Sequence, residues 1–300
     1  MATSKKTTRL KAILQSPTLV PFGVLPLHAQ MAEKAGFEAF EISGGMTCWW
    51  TMGMPDVGLM TQTEVVAHAK KVADSVDIPV YCDADTGYGG GPANVRRTSG
   101  MMTGIELVSD EEAIGRLQAA CDARDELDPD FVIVARTDGY GAAGGSVDEA
   151  IRRARLYREK TNVDVTFFEG LHTWEQVRRV LAETPRPAYV LPHPAIGPRP
   201  SIDELSAMGQ SMDIVPFLLP GVQEVWNLLL AVKECGSLAP MDDYLKKMAS
   251  HSGTPQEVGW GHGFAKPAIS QVRNMEDKYM PPEQRPDYEN TPNAAKQLLE

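Results

Sequence analysis

Short apolar runs alternate with amphipathic segments along most of the chain. The strand-like runs are LVPFGV (19–24), EAFEIS (38–43), IPVYCD (78–83), FVIVAR (131–136), VDVTFF (163–168), AYVLP (188–192) and DIVPFLL (213–219). The segments between them have helical spacing. TQTEVVAHAKKVADSV opens with Thr61 and Glu64 spaced as a capping box, with Thr63 as an alternative cap. SDEEAIGRLQAACDARDEL places acids behind a Ser109 cap, where they favour the positive end of a helix, and SVDEAIRRARLYREK repeats this at Ser146. Strand–helix alternation implies a parallel sheet covered by helices. Seven such runs in a chain of 300 residues predict one (β/α)8 barrel of the TIM type rather than an open sheet.

One interval breaks the rhythm. Between Asp83 and Phe131 only one complete helix is evident, around 109–127. NVRRTSGMMTGIELV must therefore hold the start of another helix, a turn and any fourth strand. GIELV (104–108) is the one candidate for that strand, short and joined directly to the Ser109 cap.

In parallel α/β barrels the chemistry sits at the carboxyl ends of the strands. Side chains alternate along a strand, so Glu41 and Ser43 share a face, as do Tyr81, Asp83 and Asp85. The same holds for Val132, Val134 and Arg136, and for Val165, Phe167 and Glu169. Inward apolar rows thus end in charges, and charges at that depth must meet each other, a metal or a ligand.

Composition narrows the function. The chain is 43% hydrophobic and 23% charged, as expected for a soluble globular protein with a full core, and no apolar run is long enough to span a bilayer. Its net charge of −11 argues against nucleic-acid or anionic-membrane partners, which need clustered positive charge. An anionic small-molecule substrate stays open, because one focused arginine and a divalent cation outweigh distant surface charge. The four scattered cysteines form no CxxC and are expected to be reduced thiols in a cytoplasmic protein. The basic start, MATSKKTTRLKAILQS, is read as a surface helix packing on the barrel, with a short transit peptide as the alternative.

At AGFEAFEISGG, GMPDVG, DADTGYGG followed by NVRRT, ELVSDEEAIGRLQAA, DPDFVIVARTDG and FFEG, the chain resembles the isocitrate lyase / phosphoenolpyruvate mutase superfamily. The methylisocitrate-lyase-like members are nearest in character. The resemblance implies a barrel over about 18–235 within a single domain, and a helical, subunit-crossing segment over about 236–300 in a homotetramer. It implies a 2-oxo or 2-hydroxy acid bound on Mg²⁺, or on Mn²⁺ in its place. Carried over residue by residue, Ser43, Gly44 and Gly45 would hold a substrate carboxylate. Asp85 would bind the metal, with Asp83 and Asp56 around it; Arg136 would clamp a carboxylate and Glu169 would reach the metal through water. Mg²⁺ favours hard oxygens and keeps several waters, so a few carboxylates facing one cavity suit it.

The departures bear on function. The family carries a fourth strand after NVRRT and then a gating loop, which in the lyases bears a catalytic cysteine. Here Thr98 runs into SGMMTGIELVS, and roughly two dozen residues of such a unit are shortened or missing. Losing a barrel strand opens two sheet edges. The expectation is therefore that the natural molecule carries these residues, the alternative being that GIELV substitutes; an intact mass separates the two. Glu41 stands where relatives usually have an aromatic residue, which gives it a role in catalysis or substrate choice. His193, in LPHP (191–194), stands where methylisocitrate lyases bind the distal carboxylate with a small polar residue.

Blander readings stand beside these. Asp83 and Asp85 taken alone suit a strand end, and Arg136 taken alone suits a structural ion pair. His28, His68 and His172 read as helix or surface residues, and His193 as pocket or loop. Trp49 and Trp50 suit either a pocket mouth or an oligomer contact, and GWGHGFAKP (259–267) reads as a linker. The leading function is a Mg²⁺-dependent lyase cleaving a C–C bond of a methylisocitrate-like 2-hydroxy di- or tricarboxylate to a 2-oxo acid and a carboxylic acid. The alternatives are an oxaloacetate-type decarboxylase or hydrolase, a phosphonopyruvate-type enzyme, or a non-catalytic barrel that binds metal and dicarboxylate.

Overall fold

Seven parallel strands occupy the seven apolar runs in a computed structural model that describes residues 4–88, 104–258, 264 and 269–287. They are β1 (Thr18–Gly23), β2 (Phe40–Ile42), β3 (Val80–Cys82), β4 (Val134–Thr137), β5 (Val165–Glu169), β6 (Ala188–Leu191) and β7 (Met212–Val215). The helices are α1 (Lys6–Ile13), α2 (Pro26–Lys34), α3 (Gly44–Met52), α4 (Gln62–Asp74), α5 (Asp110–Leu127), α6 (Val147–Lys160), α7 (Trp174–Glu183) and α8 (Ile202–Met208). α9 (Leu218–Cys235), α10 (Ala239–Ala249) and α11 (Ile269–Tyr279) follow. The expected caps form: the Thr61, Ser109 and Ser146 hydroxyls accept from the backbone N–H of Glu64, Glu112 and Glu149 at 3.3, 3.2 and 3.1 Å.

Two expected boundaries shift for identifiable reasons. β4 begins at Val134 because the Ile133 N–H is taken by the Asp164 carboxylate at 2.9 Å. The run DIVPFLL divides, with β7 stopping at Val215 before Pro216, which has no N–H to offer a ladder, and α9 starting at Leu218.

The strands pair in the orders β3-β2-β1-β7 and β4-β5-β6, and two seams, β6/β7 and β3/β4, lie between the two sheets. At the β6/β7 seam the Gln210 amide stands in for a strand. Its Oε1 accepts from Val190 N–H and its Nε2 donates to Val190 C=O, both at 3.0 Å, while Ser211 N–H donates to Ala188 C=O at 2.9 Å. At the β3/β4 seam the expected strand GIELV is not one. Gly104 has a left-handed φ of 88°, Ile105 C=O accepts from the Ala143 N–H, and the chain passes directly to the Ser109 cap. Five residues pinned by a turn at one end and a helix cap at the other cannot lie along a neighbour. The helix expected at NVRRT and the gating loop lie outside the described residues, as does almost all of GWGHGFAKP.

α1 spans the base of that same seam. Lys6 Nζ donates to Ala73 C=O at 2.8 Å and Val76 C=O at 2.6 Å, and Arg9 Nη1 donates to Asp77 C=O at 2.9 Å, all on the approach to β3. On the approach to β4, Thr7 donates to Asp128 at 3.0 Å and Thr8 donates to Asp130, and at the start of β5 Lys11 pairs with Asp164 at 3.4 Å. Leu10 and Leu14 plug the interior among Val20, Val165, Tyr189, Met212 and Ile214. A second layer, including Phe40, Ile42, Val72 and Ile78, packs helices α2 and α4 onto the outside of β2 and β3.

His28, expected on a helix or the surface, is on α2 but buried. Its Nδ1 accepts from the Val24 and Leu25 N–H groups, both at 3.2 Å, and burial lowers its pKa to about 4. Between about pH 6.5 and 4 the unfolded chain binds a proton there that the folded one refuses, so stability falls as pH falls through this window, by up to roughly 3 kcal/mol. We predict that His28→Gln, which keeps an acceptor, flattens this part of a urea-midpoint against pH curve. An unchanged curve would place the acid sensitivity elsewhere.

Candidate active site

The carboxyl ends of β2 to β5 deliver one interior group of side chains. Glu41 and Tyr81 are register partners on β2 and β3, and the Tyr81 hydroxyl donates to Glu41 Oε2 at 2.7 Å. Burial raises the Glu41 carboxyl to about 7. The Tyr81 hydrogen bond and Arg136 work against that rise, and Asp83 and Glu169 add to it. Arg136 Nη1 lies 2.5 Å from Glu169 Oε2, while its Nε and Nη2 donate to Asp138 Oδ1 at 3.0 and 2.8 Å. Three of the five guanidinium N–H groups therefore face acids of this chain. The Arg136 cation also sits 5.6 Å from the centroid of Phe167, which stacks on Tyr189 at 4.5 Å.

A second group surrounds the turn after β3. Asp83 Oδ1 accepts the Asp85 N–H at 2.7 Å, and Asp85 takes a left-handed φ of 51°. Ser43, Gly44 and Gly45, expected to hold a substrate carboxylate, open α3, Ser43 as its N-cap with the hydroxyl accepting from Met46 N–H at 3.3 Å. Two glycines opening an apolar segment hide this helix from propensity, and the Ser43 cap is the signal that marks it. A Cβ on Gly44 would lie 2.7 Å from Asp83 Oδ2, and one on Gly45 would lie 2.7 Å from Asp56 Oδ2. Glycine at both positions lets two carboxylates rest against the positive end of a helix. Gly44→Ala is expected to push Asp83 aside at a cost on the order of 1–3 kcal/mol. Calorimetry with oxalate and Mg²⁺ should show the loss; unchanged affinity would mean that the Asp83 position does not matter.

Asp56, Asp83 and Asp85 line one pocket with Cys48, His68 and Tyr88. Asp83 belongs to both groups, since it also acts on Glu41 and Arg136. Among the described residues no three His, Cys, Asp or Glu side chains are gathered into a cage for a metal ion. That donor set fits Mg²⁺ in one manner, with one or two carboxylates and the remaining positions filled by water and substrate.

The structure does not bring His193 into either group. Its ring meets His172 edge to face at 4.8 Å, and its Nδ1 accepts from Ala195 N–H at 3.2 Å. Sequence reading gives no role to Tyr189 or Asp138, and places Phe167 on the inward face without a role. Tyr81 was marked by its inward parity alone, and its contact with Glu41 needed the strand register. All four cysteines are free thiols, and no helix among the described residues is long and apolar enough to cross a membrane.

A parallel barrel with acids and an arginine at its strand ends defines an α/β-barrel enzyme. The family model for phosphoenolpyruvate phosphomutase matches residues 26–215, and the chain belongs to that family, within the isocitrate lyase / phosphoenolpyruvate mutase superfamily of carbon–carbon lyases and mutases. It is 34% identical to 2,3-dimethylmalate lyase of Eubacterium barkeri over 63% of this chain and 72% of the relative. It is 32% identical to the probable 2-methylisocitrate lyase 1 of Corynebacterium glutamicum over 81% of this chain and 85% of the relative. The solved phosphoenolpyruvate phosphomutase of Streptomyces platensis subsp. rosaceus superposes with a TM-score of 0.73 at 26% identity, covering 92% of this chain and 99% of that one.

Proposed function

We propose that this chain is a Mg²⁺-dependent lyase that cleaves a C–C bond of a 2-hydroxy di- or tricarboxylate, yielding a 2-oxo acid and a carboxylic acid. The observation that carries this reading is the meeting of Glu41, Asp83, Arg136 and Glu169 at the strand ends, beside the Asp85 turn and the first turn of α3. Asp85, with Asp83 and Asp56 nearby, would hold the metal. When bound, Mg²⁺ supplies Lewis-acid stabilisation of negative charge on a substrate oxygen. The N–H groups of the first turn of α3 and the Ser43 hydroxyl suit a substrate carboxylate, and the two remaining N–H donors of Arg136 suit another. Glu41, whose carboxyl changes charge near neutrality, is suited to take the substrate hydroxyl proton. The C–C bonding pair then leaves with the departing carboxylate fragment, which takes up one proton.

The test is incubation with Mg²⁺ and a panel of 2-methylisocitrate, 2,3-dimethylmalate, isocitrate and oxaloacetate. Release of pyruvate or glyoxylate from a 2-hydroxy acid is the expected result. Turnover of oxaloacetate alone favours the decarboxylase or hydrolase reading. Oxalate binding without any turnover favours a binding barrel.

We also propose a homotetramer. Val225, Trp226, Leu229 and Leu230 are all exposed on one face of α9, at helical spacing. A second copy of the chain would cover them. Trp226→Glu is expected to convert the tetramer to smaller species in sedimentation velocity, because a buried interface tryptophan is typically worth about 2 kcal/mol or more. A tetramer that persists undiminished would rule α9 out as the interface.

A further inference from the structure

Glu41 is an anomaly in the barrel interior. Its register partner Tyr81 belongs to the interior cluster that includes Val20, Phe22, Val134, Val165 and Phe167, all apolar. A carboxyl at this depth is costly unless both of its oxygens find partners. One does: Oε2 accepts from the Tyr81 hydroxyl at 2.7 Å, and the same hydroxyl lies 3.2 Å from Met212 Sδ. Oε1 accepts no hydrogen bond from the described residues. The Tyr81 contact joins residues of adjacent strands in direct register, so it sets which way the carboxyl faces. Asp83, Arg136 and Glu169 lie close enough to act on Glu41 electrostatically, so the carboxyl that Tyr81 holds adjoins the groups assigned above to metal and substrate.

We propose that Glu41 and Tyr81 form a two-residue specificity floor, in which Tyr81 anchors one carboxyl oxygen and the other reads a hydroxyl on the substrate skeleton in preference to a methyl group. Glu41 touches the ligand; Tyr81 is a positioning residue. The inference rests on the lyase reading and deepens it, because it assigns to this pair the choice of a hydroxyl over a methyl group at the substrate carbon they face. A site built to bond a hydroxyl rejects the analogue lacking it, since its own buried polar group is then left unpaired.

The experiment measures dissociation constants by calorimetry, in Mg²⁺, for oxalate, 2-hydroxysuccinate and 2-methylsuccinate. The last two differ by hydroxyl against methyl at nearly equal size. The parent protein is expected to favour 2-hydroxysuccinate by about tenfold or more, the worth of a hydrogen bond to a charged group. Glu41→Leu should bring the ratio close to one, Glu41→Gln should retain much of it because an acceptor oxygen remains, and Tyr81→Phe should give an intermediate value. Oxalate, too short to reach the floor, should bind all four proteins alike. A parent without the preference, or a ratio unchanged in both Glu41→Leu and Tyr81→Phe, overturns the inference. Failure of the parent to bind oxalate with Mg²⁺ overturns the lyase reading instead, so the two failures are distinguishable. Tyr81→Phe removes a single oxygen and keeps the test open if Glu41→Leu does not fold.

Discussion

Asp85→Ala is expected to abolish Mg²⁺-dependent binding of oxalate or pyruvate, and with it any turnover. The Asp85 backbone is pinned by the Asp83 carboxylate at 2.7 Å, and its side chain lines the pocket shared with Asp83 and Asp56. A site that offers one or two carboxylates to Mg²⁺ has none to spare. Alanine also fits poorly at the Asp85 φ of 51°, where an L-residue without a short polar side chain costs roughly 1–2 kcal/mol. Asp85→Asn therefore belongs beside it: asparagine tolerates this backbone and keeps the shape while removing the charge. Calorimetric titration of both variants against Mg²⁺ and oxalate is the measurement. Loss in both shows that the carboxylate charge is needed. Loss in alanine alone traces the effect to backbone strain, and undiminished binding in both removes Asp85 from the metal site.

Arg136→Lys is expected to be nearly as damaging although charge is conserved. The guanidinium reaches Glu169 through one nitrogen and Asp138 through two others, an arrangement that needs a planar fork. Burial acts to lower the Arg136 pKa, but Glu169 and Asp138 overcome it, and the group is held firmly charged. An ammonium can approach one of these acids but not both, leaving the other poorly compensated, at a cost on the order of 2–4 kcal/mol. Two measurements separate the roles. A fall in kcat/KM of about a hundredfold or more, with a modest shift in melting temperature, marks Arg136 as a ligand clamp. A large drop in melting temperature with kcat/KM preserved in the folded fraction marks it as a structural ion pair.

Much of the barrel can be read from the chain because strand and helix periods are local. The runs IPVYCD, VDVTFF and AYVLP carry their strands, and Ser109 and Ser146 cap their helices where expected, since a cap needs only a serine and an N–H three residues on. Alternation likewise points Arg136 and Glu169 to one interior, where they meet. Reading fails where structure depends on a partner far along the chain. GIELV has strand-like residues but is tied at both ends and pairs with no strand among the described residues. GGMTCWWTM looks like a poor helix and forms one, because Asp83 and Asp56 pack against its glycines.

The sequence by itself determined the class of fold, the order of the strands along the chain and the set of charged residues delivered to their ends. Each follows from spacing between near neighbours. Only the tertiary structure decided that Tyr81 faces Glu41 across a strand pair, that Gln210 closes one seam and α1 bridges the base of another, and that His28 is buried without its proton. These contacts depend on register and on closure of the barrel. A shift of a single residue in register would turn every side chain of a strand to the opposite face.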